Sequence, residues 1–342
     1  MSLLPFLHRA VDRHDLSMAE ARDAMHAILS GAATPAQIGA FLVALRMKGE
    51  TGDELAGFAG AMRDMAEPIH AGVNGTLLDT CGTGGDGGRT FNISTIAAFV
   101  VAGAGVRVAK HGNRSLSNQC GSADLMEALG VRMPIPAVES ARALREIGIA
   151  FLFAPSIHTA MKHAQPVRLD LKMRTVFNLL GPLTNPAGAT AQLVGAPSER
   201  AAELMAQALA ALGLPRGMVV HGSDGLDEIT TTGSTLAFEV REGAVTQHTL
   251  QPADFGVPAA SLEQLTGGGK EFNAGLAREI LDGAPGARRD IVVVNAAAAL
   301  VVAGLAPDFA AGARLAADSI DSGAARRKVE QLAAFTQGVA NR

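Results

Sequence analysis

Through residues 3 to 67, apolar residues recur at three- and four-residue spacing in HDLSMAEARDAMHAILSG, TPAQIGAFLVALRMKG and TGDELAGFAGAMRDMA. That spacing puts the apolar side chains of each segment on one face and predicts a small all-helical unit. Gly31 and Thr34-Pro35 stand where a helix should stop and the next should start. From Gly75 onward the pattern changes to short β-branched or leucine runs, TLLDTC, VRVAKHG, IAFLFA, TAQLVGA and GMVVHG. Helical stretches separate them, among them STIAAFVVAGAG, ESARALREIG and SERAAELMAQALAALG. The alternation predicts an α/β fold whose mainly parallel central sheet is flanked by helices. Residues 166 to 184 lack strand patterning and are expected to rejoin the helical unit, while 235 to 249 read as a hairpin turning at Arg241-Glu242-Gly243. The tail from Asp290 reads as Ala-rich helices. The expected organisation is residues 1–70 with 166–184 as a helical small domain, and 75–165 with 186–342 as a large α/β domain.

Composition narrows the function classes. The chain has 342 residues, 48% hydrophobic and 18% charged, enough for about two cooperating domains. A net charge of -4 offers no field that would gather nucleic acid or anionic lipid, so small molecules are the expected partners. The N-terminal segment has no signal-peptide core, and no apolar run reaches the ~18 residues of a membrane span, so a cytoplasmic location is expected. Cys81 and Cys120 are too few for a disulfide framework, lack zinc spacing, and read as reduced thiols.

Four segments carry candidate chemistry. The strand TLLDTC runs into Gly82-Thr83-Gly84-Gly85-Asp86-Gly87-Gly88 and then a helix near Asn92-Ile93-Ser94-Thr95. Glycines let backbone amides approach a ligand, and a helix N-terminus adds exposed N–H groups, so phosphate is the natural occupant. A glycine cluster alone reads equally well as a flexible turn with a capping Asn or Ser; the strand-loop-helix context favours the phosphate reading. It lacks the Gly-Lys-Ser/Thr of a Walker loop and the glycine spacing of a dinucleotide fold. The next strand ends in Lys110-His111-Gly112-Asn113-Arg114-Ser115 and continues to Gly121-Ser122-Ala123-Asp124, where Ser122 also reads as a plain N-cap. Asp224-Gly225-Leu226-Asp227-Glu228 follows a third strand; adjacent carboxylates suit Mg²⁺, although an acidic surface turn is the commoner origin of such a pair. Finally, His158, Lys162, His163, Arg168 and Arg174 form a basic set, and Arg suits bidentate capture of a planar carboxylate. Gly267-Gly268-Gly269-Lys270 has no Ser or Thr after the lysine and reads as a turn.

Taken in order, RMKGET at Arg46 to Thr51, GTGGD at Gly82 to Asp86, NIST at Asn92 to Thr95, KHGNRS at Lys110 to Ser115, GSAD at Gly121 to Asp124, RTVFNLLGPLTNPA at Arg174 to Ala187 and DGLDE at Asp224 to Glu228 closely resemble the anthranilate phosphoribosyltransferases. That family shares its fold class with pyrimidine nucleoside phosphorylases. The resemblance implies transfer of ribose phosphate from phosphoribosyl pyrophosphate (PRPP) to anthranilate, in a homodimer whose cleft lies between the two domains. It places PRPP on Gly82, Gly85, Asp86, Thr90, Asn92, Ser94, Thr95, Lys110, His111, Gly112, Asn113 and Ser122. Anthranilate would meet Gly82, Asn113, His111, His158, Arg168, Gly181 and Pro182, and Mg²⁺ would be held by Ser94, Asp227 and Glu228. No residue is expected to act as a covalent nucleophile; Lys110 and Arg168 would position the reactants. Thr159 stands where the family usually has Pro, next to the expected acceptor channel.

Two other readings are open to the sequence. A nucleoside phosphorylase of the same fold would use free phosphate, and the acidic pair and the Arg168 region argue against it. A non-catalytic nucleic-acid-binding relative should carry a basic surface and a damaged metal site, whereas this chain is acidic and keeps Asp227 and Glu228.

Overall fold

The computed structural model describes residues 2–84, 89–115 and 119–340. It opens with helices α1 (Leu4–Val11), α2 (Met18–Leu29), α3 (Pro35–Lys48) and α4 (Gly52–Asp64). Capping boxes start three of them: Ser17 with Glu20 on α2, Thr34 with Gln37 on α3, and Thr51 with Glu54 on α4. The α4 box is also a buried charge centre. Glu54 is fully buried, yet its carboxylate accepts from the backbone N–H groups of Leu16 and Thr51 and from Lys48 Nζ at 2.9, 2.9 and 3.0 Å. Every buried lone pair so engaged offsets the desolvation of the charge. Helices α2 and α4 cross tightly because Gly57 has no side chain; a Cβ there would lie 2.2 Å from the Met18 carbonyl oxygen.

The rest alternates strand and helix. In order come β1 (Leu77–Gly82), α5 (Ile93–Gly103), β2 (Arg107–Gly112), α6 (Ser122–Ala128), α7 (Ala137–Glu146) and β3 (Ile149–Phe153). The chain then leaves the sheet through α8 (Ala154–Ile157), α9 (Gln165–Leu171) and α10 (Phe177–Leu180). Helix α9 packs on α3 and α10 on α4, so this excursion lies against the N-terminal helices. It returns as β4 (Ala191–Gly195), α11 (Glu199–Ala211), β5 (Arg216–Gly222), β6 (Thr235–Arg241) and β7 (Ala244–Leu250), followed by α12 (Lys270–Leu281), α13 (Ala287–Val302), α14 (Phe309–Asp321) and α15 (Ala324–Ala340).

The sheet order is β3-β2-β1-β4-β5-β6-β7. Strands β1 to β5 are parallel and the β6–β7 hairpin is antiparallel, turning at Glu242 and Gly243, which both adopt positive φ (50° and 82°) as a tight hairpin turn requires. Both faces of the sheet are covered. Met218 and Val220 enter the apolar cluster built with α5, α13 and α14, while Val219 between them enters the cluster shared by α11 and the N-terminal helices. Two-sided burial explains why these strands read as unbroken apolar runs. The chain adds β2 and β3 on one side of β1, then crosses to place β4 on the other, so the sheet's topological switch point lies between β1 and β4. Ligands gather in the crevice at such a point, outside the carboxyl ends of the strands.

Candidate active site

At the switch point, Gly82 ends β1 beside Gly195 at the end of β4. The acidic turn after β5 folds directly onto these two glycines. A Cβ on Gly195 would lie 1.7 Å from the Asp227 carbonyl oxygen, and one on Gly82 would lie 2.9 Å from Asp227 Oδ2. No larger residue at Gly195 lets the turn approach, because the atom it would meet is backbone, whereas at Gly82 it would press on the Asp227 carboxylate. Thr83 Oγ1 donates to Asp227 Oδ2 at 3.2 Å, and the Ser94 amide in the first turn of α5 donates to Glu228 Oε1 at 3.1 Å. Gly82, Thr83, the start of α5 and the carboxylate pair therefore form one rim. Thr90, Asn92 and Thr95 line the same cleft, while Gly85 and Asp86 lie outside the described residues.

Lys110, near the end of β2, forms the floor beneath this rim. It is 1% exposed; its Nζ donates to the Thr80 carbonyl and lies 3.5 Å from Ser94 Oγ. Burial pushes the Lys110 ammonium below its ordinary value and the fully buried Asp79 carboxyl above its own, and each charge opposes the other's shift. Asp79 Oδ1 accepts from the His111 amide at 3.1 Å and Oδ2 from Asn185 Nδ2 at 2.8 Å. Asp79 is thus the counter-charge and anchor behind the Lys110-His111 strand end.

The loop after β2 is held from below. Ser122 Oγ accepts from the Asn113 amide at 3.2 Å and lies 3.1 Å from the Asn113 carbonyl, to which it donates. The expectation that Ser122 caps α6 is corrected: Gly121 occupies the cap, its amide bonded to Asp124, and Ser122 is freed to brace the loop. Arg114 pairs with Asp124 and Glu127 on the same helix and so is a brace too. The His111 Nδ1 lies 3.2 Å from the Gly181 carbonyl, a contact that requires the proton on Nδ1 and leaves the lone pair on Nε2. His111 Nε2 is buried without a hydrogen-bond partner among the described residues, on a ring that lines the cleft. His158 stacks edge-on behind it, ring centroids 5.1 Å apart, and is not part of the cleft wall.

Arg168 closes the opposite wall from α9. Its guanidinium lies over the Phe177 ring at 5.1 Å and reaches Gln165 Oε1 at 3.3 Å. Gly181 and Pro182 continue this wall, and Arg46 from α3 donates to the Arg174 carbonyl at 2.5 Å. Of the remaining basic set, Lys162 is exposed and His163 packs over Gly31; neither lines the cleft. The cleft encloses about 1060 Å³, ample for a sugar diphosphate and a small aromatic acid side by side.

Over this chain, residues 4–66 match the model of a glycosyl transferase family helical bundle domain and 74–326 that of a glycosyl transferase family a/b domain. The anthranilate phosphoribosyltransferase of Solibacter usitatus is 66% identical, with 98% of this chain and 99% of that protein aligned. The chain belongs to the anthranilate phosphoribosyltransferase family. The crystal structure of the Thermus thermophilus anthranilate phosphoribosyltransferase matches with a TM-score of 0.92 at 44% identity, covering 97% of this chain and 99% of that one. A Saccharomyces cerevisiae anthranilate phosphoribosyltransferase, solved in complex with PRPP and Mg, matches at 0.88 and 27% identity over 98% of both chains.

In this family member, Asp227, Glu228 and Ser94 bring two carboxylates and a hydroxyl to one rim. An all-oxygen set of that size fits a hard divalent cation that keeps some water and takes further oxygens from a phosphorylated substrate. Asp224 is not part of the set: its carboxylate accepts from Thr230 and Thr232 hydroxyls at 2.6 and 2.5 Å and shapes the turn.

Sequence reading missed three contributors. Asp79 was hidden inside the strand run TLLDTC, where a charge among buried positions was the available signal. The Gly267-Gly269 segment, expected to be only a turn, pairs with the glycine-loop exit through the Thr90–Thr266 bridge and a bond from the Gly267 amide to the Arg89 carbonyl. Gly268 and Asn273 consequently line the cleft.

Proposed function

We infer that this chain transfers the 5-phosphoribosyl group of PRPP to anthranilate, giving N-(5-phosphoribosyl)anthranilate and pyrophosphate, the second step of tryptophan biosynthesis from chorismate. The observation that carries the reading is the cleft at the switch point, where a glycine-rich strand end and an acidic turn face Arg168. PRPP is assigned to the rim made by Gly82, Thr90, Asn92, Ser94, Thr95 and Lys110, with Gly85 and Asp86 of the same loop, and to His111, Gly112, Asn113 and Ser122 beyond it. Anthranilate is assigned to the wall of Arg168, Gly181, Pro182, His111 and Asn113 near Gly82, with His158 behind.

The amine nitrogen attacks C1 of the ribose, the new C1–N bond forming as the C1–O bond to pyrophosphate breaks and its electron pair leaves on the phosphate oxygen. An aniline nitrogen carries a free lone pair, so no strong base is needed before attack, and the released proton passes to solvent. Mg²⁺ bound at Ser94, Asp227 and Glu228 would neutralise charge on the leaving pyrophosphate. Lys110, kept beside Asp79 in a buried layer, presents a preorganised positive charge beneath the same leaving group. Arg168 clasps the acceptor carboxylate, and the Nε2 lone pair of neutral His111 is an acceptor suited to an amine N–H. Positioning two reactants in one cleft then supplies most of the rate.

Loss of anthranilate fluorescence with PRPP and Mg²⁺, measured again with EDTA and with Arg168→Ala, tests the reading. Metal-dependent loss impaired by the substitution is expected; no loss with active controls overturns the acceptor assignment. A homodimer is proposed on the exposed apolar Leu4, Val11 and Met47 of the mutually packed α1 and α3, and light scattering checks it. Among the described residues no helix is long and apolar enough to cross a membrane; both cysteines are free, which supports the proposal of a cytoplasmic location.

A further inference from the structure

Asn273 sits in the first turn of α12, 2% exposed, and its amide joins segments that no site motif connects. Its Oδ1 accepts from the Gly268 amide at 2.8 Å, and its Nδ2 donates to Asn92 Oδ1 at 3.1 Å. Asn92 in turn donates from Nδ2 to the Cys120 carbonyl at 3.1 Å. The exit of the glycine loop, the segment preceding α6 and the turn preceding α12 are thereby tied through two side-chain amides. All four residues line the cleft.

The chemistry of an amide gives this chain a direction. A backbone N–H can only donate, so Gly268 claims the oxygen of Asn273 and leaves its nitrogen to face Asn92. Asn92 must then present oxygen to Asn273 and nitrogen to Cys120, a carbonyl that can only accept. One Nδ2 hydrogen and one Oδ1 lone pair of Asn92 remain for the cleft. Asn92 does not cap α5 with its side chain, so the amide is held by this chain of bonds rather than by the helix.

We propose that Asn273 is a positioning residue for PRPP, acting through Asn92: it fixes which way the Asn92 amide faces and clasps the two substrate-binding loops together. The proposal rests on the assignment of Asn92 to PRPP made above. Steady-state kinetics of Asn92→Ala, Asn273→Ala, the double variant and Asn273→Asp test it. Loss of one ordering hydrogen bond should raise the KM for PRPP in Asn273→Ala by about tenfold, with kcat and the KM for anthranilate within about threefold. Because Asn273 acts through Asn92, the double variant should be no worse than Asn92→Ala alone, whereas independent structural damage would multiply. Asn273→Asp keeps the acceptor for the Gly268 amide but not the donor to Asn92; it should share the PRPP defect, and it carries the same test if Asn273→Ala does not fold. Multiplying defects, or equal losses toward both substrates, overturn the proposal. A raised PRPP KM in Asn92→Ala with an unchanged one in Asn273→Ala overturns it while leaving the site assignment standing; an unchanged KM in Asn92→Ala overturns both.

Discussion

Lowering the pH from 7 to 5 should destabilise this protein through two buried rings, His111 and His158. Burial pushes His111 down to about 3, aided by the neighbouring His158, and burial pushes His158 down to about 4. Both therefore stay neutral in the fold at pH 5, whereas an unfolded-chain histidine with its ordinary value of about 6.5 is mostly protonated there. The unfolded state binds more protons, so stability is full above about pH 6.5 and is lost progressively as pH falls from there toward the folded values. At about 1.36 kcal/mol per unit, the 1.5-unit interval costs about 2 kcal/mol per ring and about 4 kcal/mol for the pair. That is a large share of the 5–15 kcal/mol by which domains are typically stable. Urea midpoints at pH 7, 6 and 5 for the wild type, His158→Phe and His111→Gln supply the assay. Each substitution changes absolute stability, but the decisive quantity is the slope with pH, which should flatten by about 2 kcal/mol across the interval in each variant. Identical slopes in all three proteins, or a ring proton resonance of either histidine titrating near pH 6.5, would refute the reasoning. The functional corollary is that His111 keeps its Nε2 lone pair over the whole working range.

Three further outcomes are expected. On the proposed assignment, Arg168→Ala would remove two charge-assisted hydrogen bonds to the acceptor carboxylate, about 3 kcal/mol, so the anthranilate KM should rise roughly a hundredfold while the PRPP KM stays near wild type; initial-rate kinetics in both substrates check this. Asp227→Ala with Glu228→Ala should abolish Mg²⁺-dependent PRPP binding in calorimetry and leave binding of anthranilate little changed; equal loss of both would sink the division of labour. Gly195→Ala places a methyl 1.7 Å from the Asp227 carbonyl oxygen, so the acidic turn must shift. Overpacking of this kind costs about 1–3 kcal/mol, and activity should fall further than thermal stability does, as a melting curve beside an activity assay will show.

Local signals determined a great deal by themselves. The helical spacing of residues 3 to 67 and the capping pairs at Thr34 and Thr51 specify helices because each residue reports its own backbone preference and the burial of its own face. The apolar runs that became β1 to β5, and the hairpin at Glu242-Gly243, are legible for the same reason. Motif order located the glycine loop, the Lys110 segment and the acidic pair along the chain. What those stretches do together was decided only by tertiary structure. Pairing of Leu78 with Ala191 sets β4 against β1, and only then does Asp227 reach Gly82 and Glu228 reach the Ser94 amide. Asp79 behind Lys110, His158 behind His111 and Asn273 beside Asn92 depend on the same long-range packing. A sequence pattern encodes how a segment is buried; which segment buries it, and which polar group then finds a partner, follows from packing the whole chain into one pair of cores around one sheet.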